Sequence, residues 1–273
     1  MKIGIIGHGF VGRAISSFYR TNLIYDKFKP SLPLKEVVEA AEVIFVCVPT
    51  NGTREGYDYQ PLKETIQLLS VNGYRFPIII KSTTQPGEID LLQRNYPKLR
   101  LFFNPEFLDQ ITAKKDFAHP QNPPCQILGL PKGKSVSRKG WVHQLFDPFK
   151  VPLIITSAVT AETFKLATNA FYTTRVIFSN QISDYCQSVG ADYEIMASLW
   201  QQIPRLGTHG YQIVHNGGRG AGGYCLPKDI HALLTNAAEL GLQLPLLRSV
   251  EKINNLLLSK SGKRIKKQPK TTR

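Results

Sequence analysis

Lys2-Ile3-Gly4-Ile5-Ile6-Gly7-His8-Gly9-Phe10-Val11-Gly12 decides the fold of this chain. A short apolar run enters Gly-x-Gly-x-x-Gly, and the apolar spacing then turns helical over residues 11–19. A strand that enters a glycine-rich turn and leaves as a helix is the phosphate-binding corner of a dinucleotide fold. Gly7 permits the tight turn, Gly9 lets a pyrophosphate approach the backbone, and Gly12 lets helix and strand pack closely. Phe10 and Val11 open the helix, whose free N–H groups and positive dipole end suit phosphate. Asp26 ends the second strand, 19 residues after Gly7. A carboxylate there accepts from both ribose hydroxyls and repels a 2′-phosphate, so the pattern predicts NAD over NADP. Lys27 beside it weakens that preference.

The alternation continues outward from this corner. Strands are predicted at 2–6, 23–25, 43–48, 77–81, 101–103, 126–130 and 151–156, rich in Val, Ile, Leu and Phe as strands buried on both faces should be. Helices are predicted between them at 11–19, 34–40, 62–69, 88–94 and 136–145. The expected fold is α/β, a Rossmann-type doubly wound parallel sheet over residues 1–156, followed by an all-helical domain over 157–259. In that second domain, long helices are predicted across 158–200, then a Gly-rich loop at 217–223, then helices at 229–240 and 245–259.

Composition bounds the function. The chain has 273 residues, 42% apolar and 20% charged, the balance of a globular protein with a buried core. No apolar run approaches the roughly 18 residues that cross a bilayer. The first residues enter a strand without the layout of a signal peptide. Membrane insertion is therefore not expected, and the cytoplasm is the expected compartment. Cys47, Cys125, Cys186 and Cys225 are too widely and irregularly spaced for a disulfide framework or a zinc site, so no metal is expected. Net charge is +14, and half of it sits in residues 260–273, where Lys260, Lys263, Arg264, Lys266, Lys267, Lys270 and Arg273 meet no acidic residue. That segment reads as a solvated, disordered tail rather than a nucleic-acid arm. The milder excess elsewhere suits anionic ligands.

Two further turns leave strand ends, where ligands bind in such sheets: Val48-Pro49-Thr50 and Lys81-Ser82-Thr83-Thr84. Their hydroxyls can touch cofactor or substrate, or can cap helices. Asn104-Pro105-Glu106-Phe107-Leu108 also follows a strand directly, which puts Glu106 at the cleft. Lys165 and Asn169 stand at i and i+4 on one helix face. Their neighbours Phe164, Leu166, Ala167, Ala170 and Phe171 are apolar, so that helix is expected to be buried nearly all round. Last comes Gly220-Ala221-Gly222-Gly223-Tyr224-Cys225-Leu226-Pro227-Lys228-Asp229. Gly222 and Gly223 give a ligand close access. A helix starting near Pro227, with an ammonium close by, favours a thiolate at Cys225. Such a thiol suits acyl chemistry.

In this order, the motifs resemble the UDP-glucose/GDP-mannose dehydrogenase family: Gly-x-Gly-x-x-Gly, Val-Pro-Thr, Lys-Ser-Thr, Asn-Pro-Glu-Phe-Leu, Lys-x-x-x-Asn and Gly-Gly-Tyr-Cys-Leu-Pro-Lys-Asp. The resemblance implies four-electron oxidation of a nucleotide-sugar C6 alcohol to a carboxylate, with two NAD consumed. It implies that Cys225 attacks the aldehyde, that Lys165 assists alcohol deprotonation or stabilises the oxyanion, that Asn169 shares that oxyanion, that Asp229 orients Lys165 and a water, that Glu106 is the base in thioester hydrolysis, and that Thr83 holds water or substrate. It places the cofactor on Gly7, Gly9, Phe10, Val11, Gly12, Asp26, Val48, Pro49, Thr50, Ser82, Thr83 and Lys228. It places the substrate on Phe107, Leu108, Lys165, Asn169, Arg205 and Gly222. Homodimerisation through the central helices is implied, with Arg205 reaching the partner subunit's substrate.

The family also carries a third, nucleotide-binding domain. The chain is expected to lack it, working without it or with a separate partner that supplies it. Asp109-Gln110 and Arg219 depart from the family pattern, and Arg219 is a candidate diphosphate contact. Two other readings stay open. One is a two-electron dehydrogenase of the β-hydroxyacid type, in which Cys225 is idle. The other is a non-catalytic NAD-binding scaffold.

Overall fold

The structure, a computed structural model, describes residues 1–28, 32–108, 117, 124–215 and 218–260. The departure at Asp109-Gln110 and all of the basic tail but Lys260 lie outside the described residues. Two compact units divide the chain. The first is Met1–Asn51 with Tyr57–Lys165, and the second is Gly52–Gly56 with Leu166–Arg273.

In chain order the first unit carries β1 (Ile3–Ile6), α1 (Phe10–Tyr19), β2 (Leu23–Tyr25), α2 (Leu34–Ala40) and β3 (Val43–Val46); the short β4 (Asn51–Thr53) and β5 (Gly56–Asp58) then carry the chain into and out of the 52–56 segment that belongs to the second unit. The first unit continues with α3 (Gln60–Val71), β6 (Pro77–Ile80), α4 (Glu88–Asn95), β7 (Arg100–Phe103), β8 (Gln126–Leu130), α5 (Trp141–Phe146) and β9 (Leu153–Ser157). Seven strands form one sheet in the order β2-β1-β3-β6-β7-β8-β9. Ile5, Val43, Ile44, Val46, Ile78, Ile79 and Ile80 are fully buried, as strands covered by helices on both faces require. One core cluster gathers Ile44, Ile66, Leu69, Ile78, Ile80 and Leu101, and a second gathers Ile5, Ile15, Phe45, Ile79 and Leu128.

The sheet is mostly parallel, as expected, with one antiparallel pairing. β7 pairs with β8 antiparallel, Phe103 opposite Gly129, and β9 then runs parallel to β8. Three predicted boundaries also move for local reasons. The helix expected at 136–145 is confined to Trp141–Phe146, because Gly140 has φ +67 and cannot lie inside a helix. The strand expected from 151 starts at Leu153, after Pro152, which has no N–H to give a ladder. The strand expected to reach residue 48 ends at Val46, as the chain turns away before Pro49.

The second unit is built on α6 (Ala158–Val189) from Leu166 onward, α7 (Tyr193–Gln202), α8 (Cys225–Glu239) and α9 (Pro245–Lys260), with a short ribbon of β10 (Val214–His215) and β11 (Gly218–Arg219). The helical run breaks after Val189 at Gly190, φ +74, and Asp192 restarts it by accepting the Ile195 N–H. Ala170, Ile177, Ile230, Leu234 and Val250 form the core of α6, α8 and α9. α8 begins at Cys225, four residues before the expected start. Pro227 falls in its first turn, where a missing N–H breaks no helical bond. α6 is not buried all round: Leu166 and Ala170 are buried, but Phe164 is 42% and Phe171 60% exposed.

Candidate active site

In the first unit, the site is set by strand ends. Ladder bonding runs one residue past β3, β6 and β7: Cys47 N–H donates to Ile6 O at 2.8 Å, Lys81 N–H to Val46 O at 2.9 Å, and Asn104 N–H to Ile80 O at 3.0 Å. The chain then turns away, and these turns form the rim where doubly wound sheets take ligands. The strand order reverses about β1, so the switch point lies between β1 and β3.

The dinucleotide corner has the expected form. Gly7 has φ +93, and a Cβ there would stand 2.7 Å from Cys47 O. A Cβ at Gly12 would stand 2.1 Å from Gly7 O, whereas one at Gly9 would meet nothing within 4 Å. Helix and turn thus touch at Gly12 and leave room at Gly9. Phe10 and Val11 form the first turn of α1. The His8 N–H donates to Asp26 Oδ2 at 2.7 Å and the Phe28 N–H to Oδ1 at 2.9 Å, which fixes the carboxylate beside the turn. Ser82 Oγ donates to Val48 O at 2.6 Å, tying two turns together; Thr50 and Thr83 are buried near them, and Pro49 is exposed. An open cradle at Gly9 and an anchored carboxylate at Asp26 fit NAD, the cofactor of this corner.

Beyond the corner, two buried lysines grip one loop. Lys81 Nζ donates to Asn104 Oδ1 at 2.7 Å and to Pro105 O at 3.3 Å. Lys165 Nζ donates to Glu106 O at 2.5 Å, lies 3.7 Å from Glu106 Oε1, and sits 4.7 Å from the Phe107 ring centroid. Glu106 Oε2 accepts the Leu108 N–H at 2.8 Å. Lys81, Glu106 and Lys165 are 4%, 8% and 3% exposed. Two ammonium groups and one carboxylate therefore share a buried space. Burial pushes Lys81 down to about 8, while the Glu106 carboxylate pulls it back up. Burial also pushes the Cys47 thiol up to about 12, which leaves it inert. Lys81 was not expected in the site; its one signal in the sequence is its place directly after a buried strand. Glu162, on the first turns of α6, accepts from Thr84 Oγ1 at 2.9 Å, Gly87 N–H at 2.8 Å and Ile89 N–H at 3.1 Å, and so ties the turn after β6 to α6.

The second unit holds its own group. Asp229, fully buried on α8, accepts from Asn169 Nδ2 on α6 and from Lys228 Nζ, both at 2.5 Å. Cys225 opens α8, with its residue half-buried on the first turn. The Gly-rich loop before it is held by a residue that sequence reading missed. Asn254 on α9, 1% exposed, accepts the Ala221 N–H at 2.7 Å and donates to Ala221 O at 3.1 Å. Gly222 lies in this loop, against Leu258. Arg219, the candidate diphosphate contact, is occupied within its own unit: it donates to Asn180 Oδ1 at 3.0 Å, to the Asn180 carbonyl at 2.7 Å and to Asp184 Oδ1 at 2.5 Å. Arg205 lines a cavity of about 330 Å3 with Phe171, Arg175, Phe178, Trp200 and Tyr211. Among the described residues, no three His, Cys, Asp or Glu side chains gather to hold a metal, and no helix is long and apolar enough to cross a membrane.

A doubly wound dinucleotide-binding unit followed by a helical unit defines the class of the protein. Within that class, the chain belongs to the UDP-glucose/GDP-mannose dehydrogenase family, whose central-domain model matches residues 159–256. It is 31% identical over 224 residues to the UDP-glucose 6-dehydrogenase YwqF of Bacillus subtilis, covering 79% of this chain and 49% of that protein. It is 28% identical over 272 residues to the GDP-mannose 6-dehydrogenase of Pseudomonas putida, covering 93% and 60%. The chain thus spans about half to three fifths of the length of these relatives. Its fold superposes on a UDP-glucose dehydrogenase from Pyrobaculum islandicum with TM-score 0.76 and 21% identity, over 96% of this chain and 71% of that one.

Proposed function

We propose that this chain is an NAD-dependent oxidoreductase that converts the C6 alcohol of a nucleotide sugar of the UDP-glucose type to the carboxylate. The observation that carries the reading is the buried Lys165–Glu106 pair on the loop after β7, in a chain that also opens α8 with Cys225. NAD, when bound, takes up two electrons in each of two oxidations. In the first, the alcohol proton leaves to water while the Lys165 ammonium steadies the developing alkoxide, and the aldehyde forms. The Cys225 thiol then gives up its proton to water and its sulfur bonds to the aldehyde carbon, giving a thiohemiacetal whose oxyanion is stabilised by Lys165 and the Asn169 amide. The second oxidation leaves a thioester. Glu106 takes a proton from water, the water oxygen bonds to the acyl carbon, and the C–S bond breaks to return Cys225 and release the carboxylate. Asp229 keeps the Asn169 amide oriented and holds the Lys228 ammonium. A covalent thioester splits one hard oxidation into two steps and retains the aldehyde.

The test counts NADH per sugar consumed, for UDP-glucose and GDP-mannose, with Cys225→Ala in parallel. Two NADH per sugar, abolished in the variant, is the expected result. One NADH with an indifferent variant would show a two-electron dehydrogenase instead.

The same reading includes a homodimer through α6. Phe164, Phe171, Phe178 and Tyr185 recur every seven residues along that helix and are 42%, 60%, 52% and 64% exposed. A heptad stripe of exposed aromatics is what a helix–helix interface buries. Light scattering of Phe171→Glu/Phe178→Glu against the wild type tests it; a monomeric wild type would remove the dimer.

A further inference from the structure

Residues 52–56, the turn of the β4–β5 hairpin with the strand ends beside it, belong to the helical unit, and two contacts hold this turn on α8. A Cβ at Gly52 would stand 2.9 Å from Lys228 Cβ, so the backbone of the turn lies directly on the Lys228 stem. One helical turn further along α8, His231 Nε2 is 3.1 Å from the Arg54 carbonyl oxygen, and His231 Nδ1 is 2.8 Å from Glu251 Oε1 on α9. Both partners are acceptors. A neutral imidazole has one N–H and can satisfy only one of them, whereas an imidazolium has two. The charged side chains that reach the ring are Glu251 from α9 and Glu55 from the turn. They and the Arg54 carbonyl favour the proton, and partial burial opposes it, with a net upward shift from the usual 6.5.

We propose that His231 is a positioning residue. As an imidazolium bridging Glu251 and the Arg54 carbonyl, it holds the 52–56 turn on the Lys228 stem and so keeps that ammonium on Asp229; loss of its proton releases the turn. The chain of contacts is continuous: turn to Lys228, Lys228 to Asp229, Asp229 to Asn169. The direction in pH follows from the raised value. The bridge is complete below 6.5, and it is lost as pH rises through the raised folded-state value. Only the catalytic consequence rests on the dehydrogenase reading.

The experiment uses the full chain with 15N-labelled histidine, and His231→Gln to assign the ring. Long-range 1H–15N spectra are expected to show both ring nitrogens protonated at low pH, with a midpoint above 6.5 that moves down in Glu251→Gln. Amide exchange at Glu55, whose N–H donates to Thr53 Oγ1, is expected to quicken at least about threefold above the midpoint, and at every pH in His231→Gln. A midpoint at or below 6.5, or exchange at Glu55 indifferent to both pH and the substitution, would overturn the bridge. With UDP-glucose and NAD, His231→Gln is expected to lower kcat about fivefold at unchanged sugar KM. Unchanged kcat alongside lost Glu55 protection would overturn the positioning role. Absence of turnover in the wild type would sink the dehydrogenase reading while the spectra still decide the bridge.

Discussion

Asp229→Asn tests the buried polar group of the helical unit most directly. Asparagine keeps the shape and removes the charge. Its one carbonyl oxygen can face either Lys228 Nζ or Asn169 Nδ2, and its NH2 then faces the other donor. Removing one partner of a buried ion pair costs about 3–5 kcal/mol, because the remaining charge is uncompensated. A donor left unsatisfied adds about 1–3 kcal/mol. The Lys228 side chain is 10% exposed, while Asp229 is fully buried, so the ammonium can swing toward water and recover part of the loss. The lower end, about 3 kcal/mol, is therefore expected, which in a chain of this size lowers Tm by roughly 6–12 °C. A second substitution identifies the source. In Asp229→Asn/Lys228→Met no ammonium is stranded, so the double variant is expected to be more stable than Asp229→Asn alone by about 1–2 kcal/mol. Thermal and urea unfolding followed by circular dichroism at pH 7 reads both quantities. An Asp229→Asn protein melting within roughly 2 °C of wild type, or a double variant that loses the sum of the two singles, would refute the reasoning.

Three further outcomes follow from the same geometry. Gly9→Ala meets nothing in the fold and should leave Tm unchanged while weakening NAD binding, whereas Gly12→Ala drives a methyl to 2.1 Å from Gly7 O and should destabilise the corner; calorimetry with NAD and without it separates them. At pH 8, Cys225 should be alkylated by iodoacetamide in the native protein while Cys47, pushed up to about 12, stays unmodified, as peptide mapping by mass spectrometry would show. Glu162 is pushed by burial up to about 7 from the ordinary 4.5, so the folded chain keeps a proton that the unfolded chain releases. The stability this group contributes is present below pH 4.5 and is lost as pH rises to about 7. Glu162→Gln should flatten that segment of the urea stability profile, and an unchanged slope would contradict the assignment.

What was legible in the sequence is what short-range chemistry dictates. The Gly7–Gly12 turn, the buried Val and Ile strands, and the turns carrying Thr50, Thr83 and Glu106 after strand ends follow from spacing and local conformation. The antiparallel entry of β8 did not follow, since Gln126–Leu130 is an apolar run whose direction is set by the path of the chain before it, not by its own residues. Lys81 and Asn254 were missed for the same physical reason. A lysine after a strand is buried or exposed according to what closes over it, and Asn104, 23 residues on, closes over this one. Asn254 reads as one polar residue on an amphipathic helix until Ala221, 33 residues away, presents its N–H and carbonyl.

His231 lies furthest from local reading, because its partner carbonyl at Arg54 is 177 residues away. Arg219 shows the converse. A cation beside a glycine-rich loop reads as a phosphate contact, but Asn180 and Asp184 on α6 stand where its guanidinium can bond. In both cases the decisive atoms are acceptors brought in by tertiary packing. Residue types therefore predict which chemistry is possible at a site, and the count of donors against acceptors in the fold decides which of those groups remain committed to structure.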